Sequence, residues 1–140
     1  MKRVLFVCVH NSARSQMAEA FLNQLGKGKF FAESAGLEPG KLNPLVVRVM
    51  SEIGIDISKN STNSVFEYLK EGRTYSIVVK VCDQINGQRC PIFPSAGISL
   101  NWNITDPSAV VGSEEEKLAQ IRAIRDEIKT KVEALITVYG

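Results

Sequence analysis

The chain has 140 residues, 44% of them hydrophobic and 23% charged, with a formal net charge of +2. This is the balance of a soluble globular protein with enough chain for one core, and it excludes a disordered or membrane-embedded polypeptide. Lys and Arg are few in excess and spread along the sequence, which argues against nucleic acid and membrane surfaces as partners.

In chain order, Arg3 to Val7 form a short apolar run that stops at Cys8, and Gln16 to Leu25 carries helical spacing at Met17, Ala20, Phe21 and Leu25. The chain thus opens as strand, loop, helix. A basic start followed by apolar residues has the outline of a signal peptide, but Asn11, Arg14 and Gln16 interrupt it too soon, so the cytoplasm is the expected location. Phe30 to Glu33 predict a second strand ending at Ser34-Ala35-Gly36. Asn43-Pro44 opens a helix with Val46, Val47, Met50 and Ile53 apolar and Gly54 beyond it. Val65 to Leu69 read as a short helix before Gly72, and Ser76 to Val81, apolar except at Lys80, as a strand delivering Cys82. The Pro and Gly residues from Gly87 to Gly97 mark a long loop, after which Ile98 to Trp102 supply another strand. From about Ser113 to Val138, apolar residues at Leu118, Ile121, Ile124, Ile128, Val132, Leu135 and Ile136 predict an amphipathic helix, with Ser113-Glu114-Glu115-Glu116 as its capping box.

Strands alternating with helices predict an α/β fold, a mainly parallel sheet covered on both faces, whose ligands sit at the carboxyl ends of the strands. Cys8, Cys82 and Asp106 all follow predicted strands. With no repeat or linker, residues 1–140 are expected to form one domain.

Three cysteines in a chain with no export signal do not make a paired disulfide framework, and an odd count suggests chemistry. A free Cys is otherwise a small buried hydrophobe, so its neighbours decide. In Cys8-Val9-His10-Asn11-Ser12-Ala13-Arg14-Ser15, an Arg stands six positions after a Cys, between a strand and a helix start. Unpaired N–H groups and the helix dipole hold a tetrahedral oxyanion there without a metal. The planar guanidinium of Arg14 grips two of its oxygens. The same field favours the thiolate of Cys8, and the Ser15 hydroxyl is set to hydrogen-bond the sulfur. The bare Cys-to-Arg spacing also arises by chance; the strand and helix around it, Ser15 and a downstream Asp106-Pro107 make it specific.

Val7-Cys8 through Arg14-Ser15-Gln16-Met17-Ala18-Glu19-Ala20, with Glu33-Ser34-Ala35-Gly36, resembles the low-molecular-weight phosphatase and arsenate reductase superfamily along nearly the whole chain. The resemblance implies a single three-layer, flavodoxin-like domain with a four-stranded parallel sheet. It implies that Cys8 attacks phosphorus or arsenic, that Arg14 stabilises the transition state and that Asp106 is the general acid. The oxyanion would rest on Val9, His10, Asn11, Ser12, Ala13 and Arg14, with the His10 ring structural or solvent-facing.

The two branches share this loop. Arsenate reduction needs two electrons, which further thiols provide. The stretch from Val81-Cys82-Asp83 to Arg89-Cys90-Pro91, followed by Trp102 and Thr105-Asp106-Pro107, resembles the redox segment of thioredoxin-coupled arsenate reductases. By resemblance, Cys82 attacks the Cys8 adduct, releasing arsenite, and Cys90 then attacks Cys82, leaving a disulfide for thioredoxin. The loop between them must fold back, since eight residue steps span up to about 28 Å extended whereas disulfide Cα atoms lie roughly 4.4 to 6.8 Å apart. Phosphatases of this type carry aromatic residues after Asp-Pro, where Ser108 and Ala109 stand here. Arsenate, with phosphate or sulfate as analogues, is therefore the expected ligand, in a monomer needing no organic cofactor. The alternative is hydrolysis of aryl phosphates through a Cys8 phosphocysteine.

The family also implies a potassium site behind the loop, mapping to Asn11, Glu19 and Ser34, but Asn63 stands where an aspartate is usual and removes a charge. A zinc or metalloid sensor fits poorly, because three distant Cys and one His lack structural-zinc spacing and leave Arg14 and Asp106 without a role. An inactive oxyanion binder would keep every one of these residues.

Overall fold

The computed structural model describes residues 1–82 and 97–140, Cys82 by its backbone alone. Its elements are β1 (Lys2–Cys8), α1 (Arg14–Leu25), β2 (Phe30–Gly36), α2 (Pro44–Ser51), α3 (Val65–Lys70), β3 (Ile77–Cys82), β4 (Ile98–Asn103) and α4 (Glu114–Tyr139), with a 3-10 turn at Pro107–Ala109 before α4. The four strands form one parallel sheet in the order β2-β1-β3-β4, the α/β architecture read from the sequence. The loop expected from Gly87 lies outside the described residues as far as position 96.

The order follows from handedness. The crossover from β1 through α1 leads to β2 on one side, and the return through α3 leads to β3 on the other. Right-handed crossovers in opposite directions put their helices on opposite faces. One face packs Val4 and Phe6 of β1, Phe30 and Ala32 of β2, and Ile77, Val79 and Val81 of β3 against Met17 and Phe21 of α1, Val49 and Met50 of α2, and Ile121, Ile128 and Val132 of α4. The other face is thinner: Leu5, Val7, Ala35 and Val78 are covered by Val65 of α3 with Tyr75 and Tyr68. Burial on both faces explains why β1 reads as a continuous apolar run instead of an alternating one.

Three helix starts carry side-chain caps, those at Asn43 and Ser113 as expected. Asn43 Oδ1 accepts the Leu45 N–H at 3.0 Å ahead of Pro44, Ser64 Oγ accepts from Phe66 and Glu67, and Ser113 with Glu116 forms a reciprocal capping box. At the start of α1 the pattern fails: the N-cap is Ala13, and no side chain caps the helix. The switch point of the strand order lies between β1 and β3, and the uncapped α1 opens beside it.

Candidate active site

Cys8 ends β1 at that switch point and is 2% exposed. The loop it begins is held from outside. The carbonyls of Cys8, Val9, His10 and Ser12 accept hydrogen bonds from the N–H groups of Leu37, Glu38, Gly40 and Asn43, at 3.1, 2.8, 3.0 and 3.0 Å. In a planar trans peptide the C=O and the following N–H point in opposite directions. With the carbonyls turned outward, the N–H groups of Val9, His10, Asn11 and Ala13 turn inward, towards the pocket lined by Cys8, His10, Ser12, Ala13, Arg14 and Asp106. The Asn11 N–H ends on Cys8 Sγ at 3.1 Å. Asn11 holds φ at 54°, a left-handed backbone that asparagine tolerates better than most residues.

Ser15 Oγ lies 2.9 Å from Cys8 Sγ and accepts from Asn11 Nδ2 at 2.7 Å. Arg14 is the first residue of α1 and 3% exposed; its guanidinium donates to the Ile104 carbonyl at 3.0 Å and lies 3.6 Å from Asp106 Oδ2. Asp106 Oδ1 accepts the Ser108 N–H at 2.9 Å, which caps the 3-10 turn and holds the carboxyl at the pocket. The His10 ring is exposed and its Nδ1 donates to the Glu38 carbonyl at 2.9 Å, a brace on the outer loop. Beside the pocket runs a groove lined by Lys41, Asn43, Pro44, Pro107, Ser108 and Lys117; among the described residues no aromatic side chain lines it.

Six of the residues singled out in the sequence therefore meet at one place: Cys8, His10, Ser12, Ala13, Arg14 and Asp106. Cys82 ends β3, beside β1, and its partner residue on β4 is Asn103. Cys90 lies outside the described residues.

Several oxygens mapped for a cation already hold hydrogen bonds. Asn11 Oδ1 accepts the Asn63 N–H at 2.8 Å and Gln16 Nε2 at 3.2 Å, and the Asn63 side-chain amide donates to the Ser34 carbonyl at 3.2 Å and the Ser61 carbonyl at 3.4 Å. N–H groups thus occupy Asn11 Oδ1 and the Ser34 carbonyl, two of the acceptors a cation there would use. Glu19 accepts from Ser34 Oγ at 3.0 Å, and its burial, with the nearby Glu33 charge adding to the effect, raises its pKa to about 7.

Sequence reasoning missed the parts that Gln16 and Gly36 play behind the loop. Gln16 is 1% exposed although a polar residue early in an amphipathic helix reads as solvent-facing. Its third helical position, from which a Gln side chain can reach back past the helix start, was the available signal. Gly36 was read as the end of a strand and as part of the resemblance, without a steric role; a Cβ there would lie 2.8 Å from Asn11 N and Val9 O, so only glycine lets β2 approach the loop.

A thiol held by hydrogen-bond donors, with inward N–H groups, a buried guanidinium and a carboxyl beside it, is an arrangement that can form a covalent adduct with a tetrahedral oxyanion. Residues 3–138 match the family described as low molecular weight phosphotyrosine protein phosphatase, and the chain belongs to that family. A glutaredoxin arsenate reductase of Synechocystis sp. is 35% identical over 97% of both chains, and an arsenate reductase of Bacillus subtilis is 35% identical over 94% of this chain and 92% of its own. A solved structure described as an arsenate reductase in the phosphate binding state superposes over the whole of both chains, with a TM-score of 0.81 and 34% identity.

Proposed function

We propose that this protein reduces arsenate to arsenite, with Cys8 as nucleophile and Cys82 and Cys90 supplying the two electrons. The observation that carries this reading is that β1 and β3 are neighbours in the sheet and end at Cys8 and Cys82. Val7 pairs with Lys80, so one step further Cys8 is level with Val81 and Cys82 stands one residue beyond. A strand spacing of about 4.8 Å and a rise of about 3.3 Å combine to a Cα separation of about 6 Å, and because successive residues of a strand face opposite sides of the sheet, joining Cys82 to Cys8 requires the end of β3 to turn. An enzyme that only hydrolyses a phosphocysteine needs no such residue. Ser108 and Ala109, where phosphatases of this type carry aromatic residues, support a small inorganic substrate over an aryl phosphate, and so do the names of the relatives.

The steps balance as follows. Cys8 thiolate attacks As(V) and an arsenate oxygen leaves as water, protonated by Asp106, while the loop N–H groups and Arg14 carry the remaining charge. Cys82 thiolate then attacks Cys8 Sγ; the S–As bond breaks with its electron pair going to arsenic, which leaves as arsenite. Cys90 thiolate attacks Cys82 Sγ, Cys8 is freed, and the resulting disulfide is reduced by an external dithiol, which is thioredoxin in this reading. The thiol chemistry suits the reducing cytoplasm, and one chain supplies every group, so a monomer suffices.

The test is turnover of arsenate with NADPH, thioredoxin reductase and thioredoxin, beside parallel assays with glutaredoxin plus glutathione and with an aryl phosphate. Thioredoxin should sustain arsenite formation, and Cys8→Ser should abolish it. Aryl phosphate turnover with no arsenite under either reductant would replace this reading by the phosphatase one.

A further inference from the structure

Four of the loop's carbonyls are taken by backbone N–H groups of the segment from Leu37 to Asn43; that of Asn11 is taken by a side chain, Gln16 Nε2, at 3.1 Å. The same nitrogen lies 3.2 Å from Asn11 Oδ1 and 3.0 Å from the Ser61 carbonyl. Two of these three acceptors are backbone carbonyls, which cannot donate, so the nitrogen side of the Gln16 amide must face them. Asn60 Nδ2 donates to Gln16 Oε1 at 3.1 Å and holds the amide that way round.

The orientation passes along the chain of groups. Asn11 Oδ1 receives the Asn63 backbone N–H and Gln16 Nε2, so Asn11 Nδ2 must point the other way, to Ser15 Oγ. The serine oxygen is then an acceptor from Asn11, which leaves its single proton available to Cys8 Sγ, 2.9 Å away. We propose that Gln16 is a positioning residue for the nucleophile: it fixes the Asn11 carboxamide and carbonyl so that the Ser15 hydroxyl donates to the Cys8 sulfur. The sulfur then receives two donors, Ser15 Oγ–H and Asn11 N–H. Gln16 also clamps the left-handed Asn11, and by holding its carbonyl outward turns the Ser12 N–H inward.

The inference rests on the reading of Cys8 as nucleophile, and its test separates the two. The rate of Cys8 alkylation against pH, followed by peptide mapping in the full chain, is compared for the parent, Gln16→Met and Asn23→Ala. Asn23 is the matched control: it also lies on α1 and its amide bonds the Ala32 N–H and carbonyl of β2, away from the loop. Both variants should melt earlier. Only Gln16→Met should move the alkylation midpoint upward, by about one pH unit, a tenfold loss of thiolate at a given pH. In a Ser15→Ala background the shift caused by Gln16→Met should fall by at least half, because the relay then has no hydroxyl to direct. Asn60→Ala, which releases the Gln16 amide and leaves the core intact, should give a smaller shift in the same direction and serves if Gln16→Met does not fold. A reactive Cys8 whose profile moves no more in Gln16→Met and Asn60→Ala than in Asn23→Ala would overturn the proposal alone. A Cys8 unreactive in the parent would overturn the nucleophile reading, and the proposal with it.

Discussion

At Asp106 two roles share one carboxyl. Its Oδ1 caps the turn through the Ser108 N–H, while its Oδ2 faces Arg14 and the pocket. Asp106→Asn keeps a capping oxygen and loses the acid. If protonation of the departing oxygen is its work, kcat for arsenate should fall about 100-fold to 10,000-fold with little change in melting temperature. A fall in melting temperature at unchanged kcat would leave it only the cap. Glu19 gives a pH prediction of definite sign. Its folded pKa of about 7 lies above the ordinary carboxyl value, so between roughly pH 4.5 and 7 the folded state binds more protons than the unfolded. Stability from this group is fully present below about pH 4.5 and is lost as pH rises through 7, a change on the order of 3 kcal/mol. Glu19→Gln keeps an acceptor for Ser34 and removes the titration. The melting-temperature gain of Glu19→Gln over the parent should therefore grow from pH 5 to pH 8; a constant difference would contradict the account.

Between elements, the loop depends on β2 ending in a residue without a side chain. Gly36→Ala places a methyl group 2.8 Å from backbone atoms of Val9 and Asn11, which cannot swing aside as a side-chain tip would. The variant should lose about 1 to 3 kcal/mol, the range for overpacking, and also lose oxyanion affinity, measured by phosphate protection of Cys8 from alkylation. At α4 the capping box is remote from the site, so Ser113→Ala should cost about 1 kcal/mol in denaturant titration and leave kcat unchanged. That helix was legible from its apolar periodicity, but Arg125 was not. It is 9% exposed and donates to the Val49 carbonyl at 2.8 Å, satisfying one of the last carbonyls of α2. Nothing in a helical repeat tells a buried arginine from the solvated ones around it.

For the whole molecule, the relay asks that Cys8 share its sheet edge with a second thiol. Cys82→Ser should stop arsenate reduction while sparing hydrolysis of any aryl phosphate the parent accepts. Cys90→Ser should permit one turnover and trap a Cys8–Cys82 disulfide, found by mass mapping after one equivalent of arsenate. Arsenate turnover at the parent rate in both variants would remove the relay. The strands, helices and order of the chemistry-bearing residues followed from sequence, because apolar periodicity, caps and a strand-loop-helix junction are local properties. Cys8, Arg14 and Asp106 were named from that local pattern and the likeness it carried. Which carbonyls the loop turns outward, and to whom, was decided by tertiary structure alone. The partners at residues 37–43, Gln16, Asn60 and Asn63 converge from separate elements. The cation site shows the same division: the change at Asn63 was visible in sequence. Only the fold brings its amide onto the Ser34 and Ser61 carbonyls. A hydrogen bond has direction, and the direction of each amide is set by neighbours that are distant in the chain and adjacent only once it has folded.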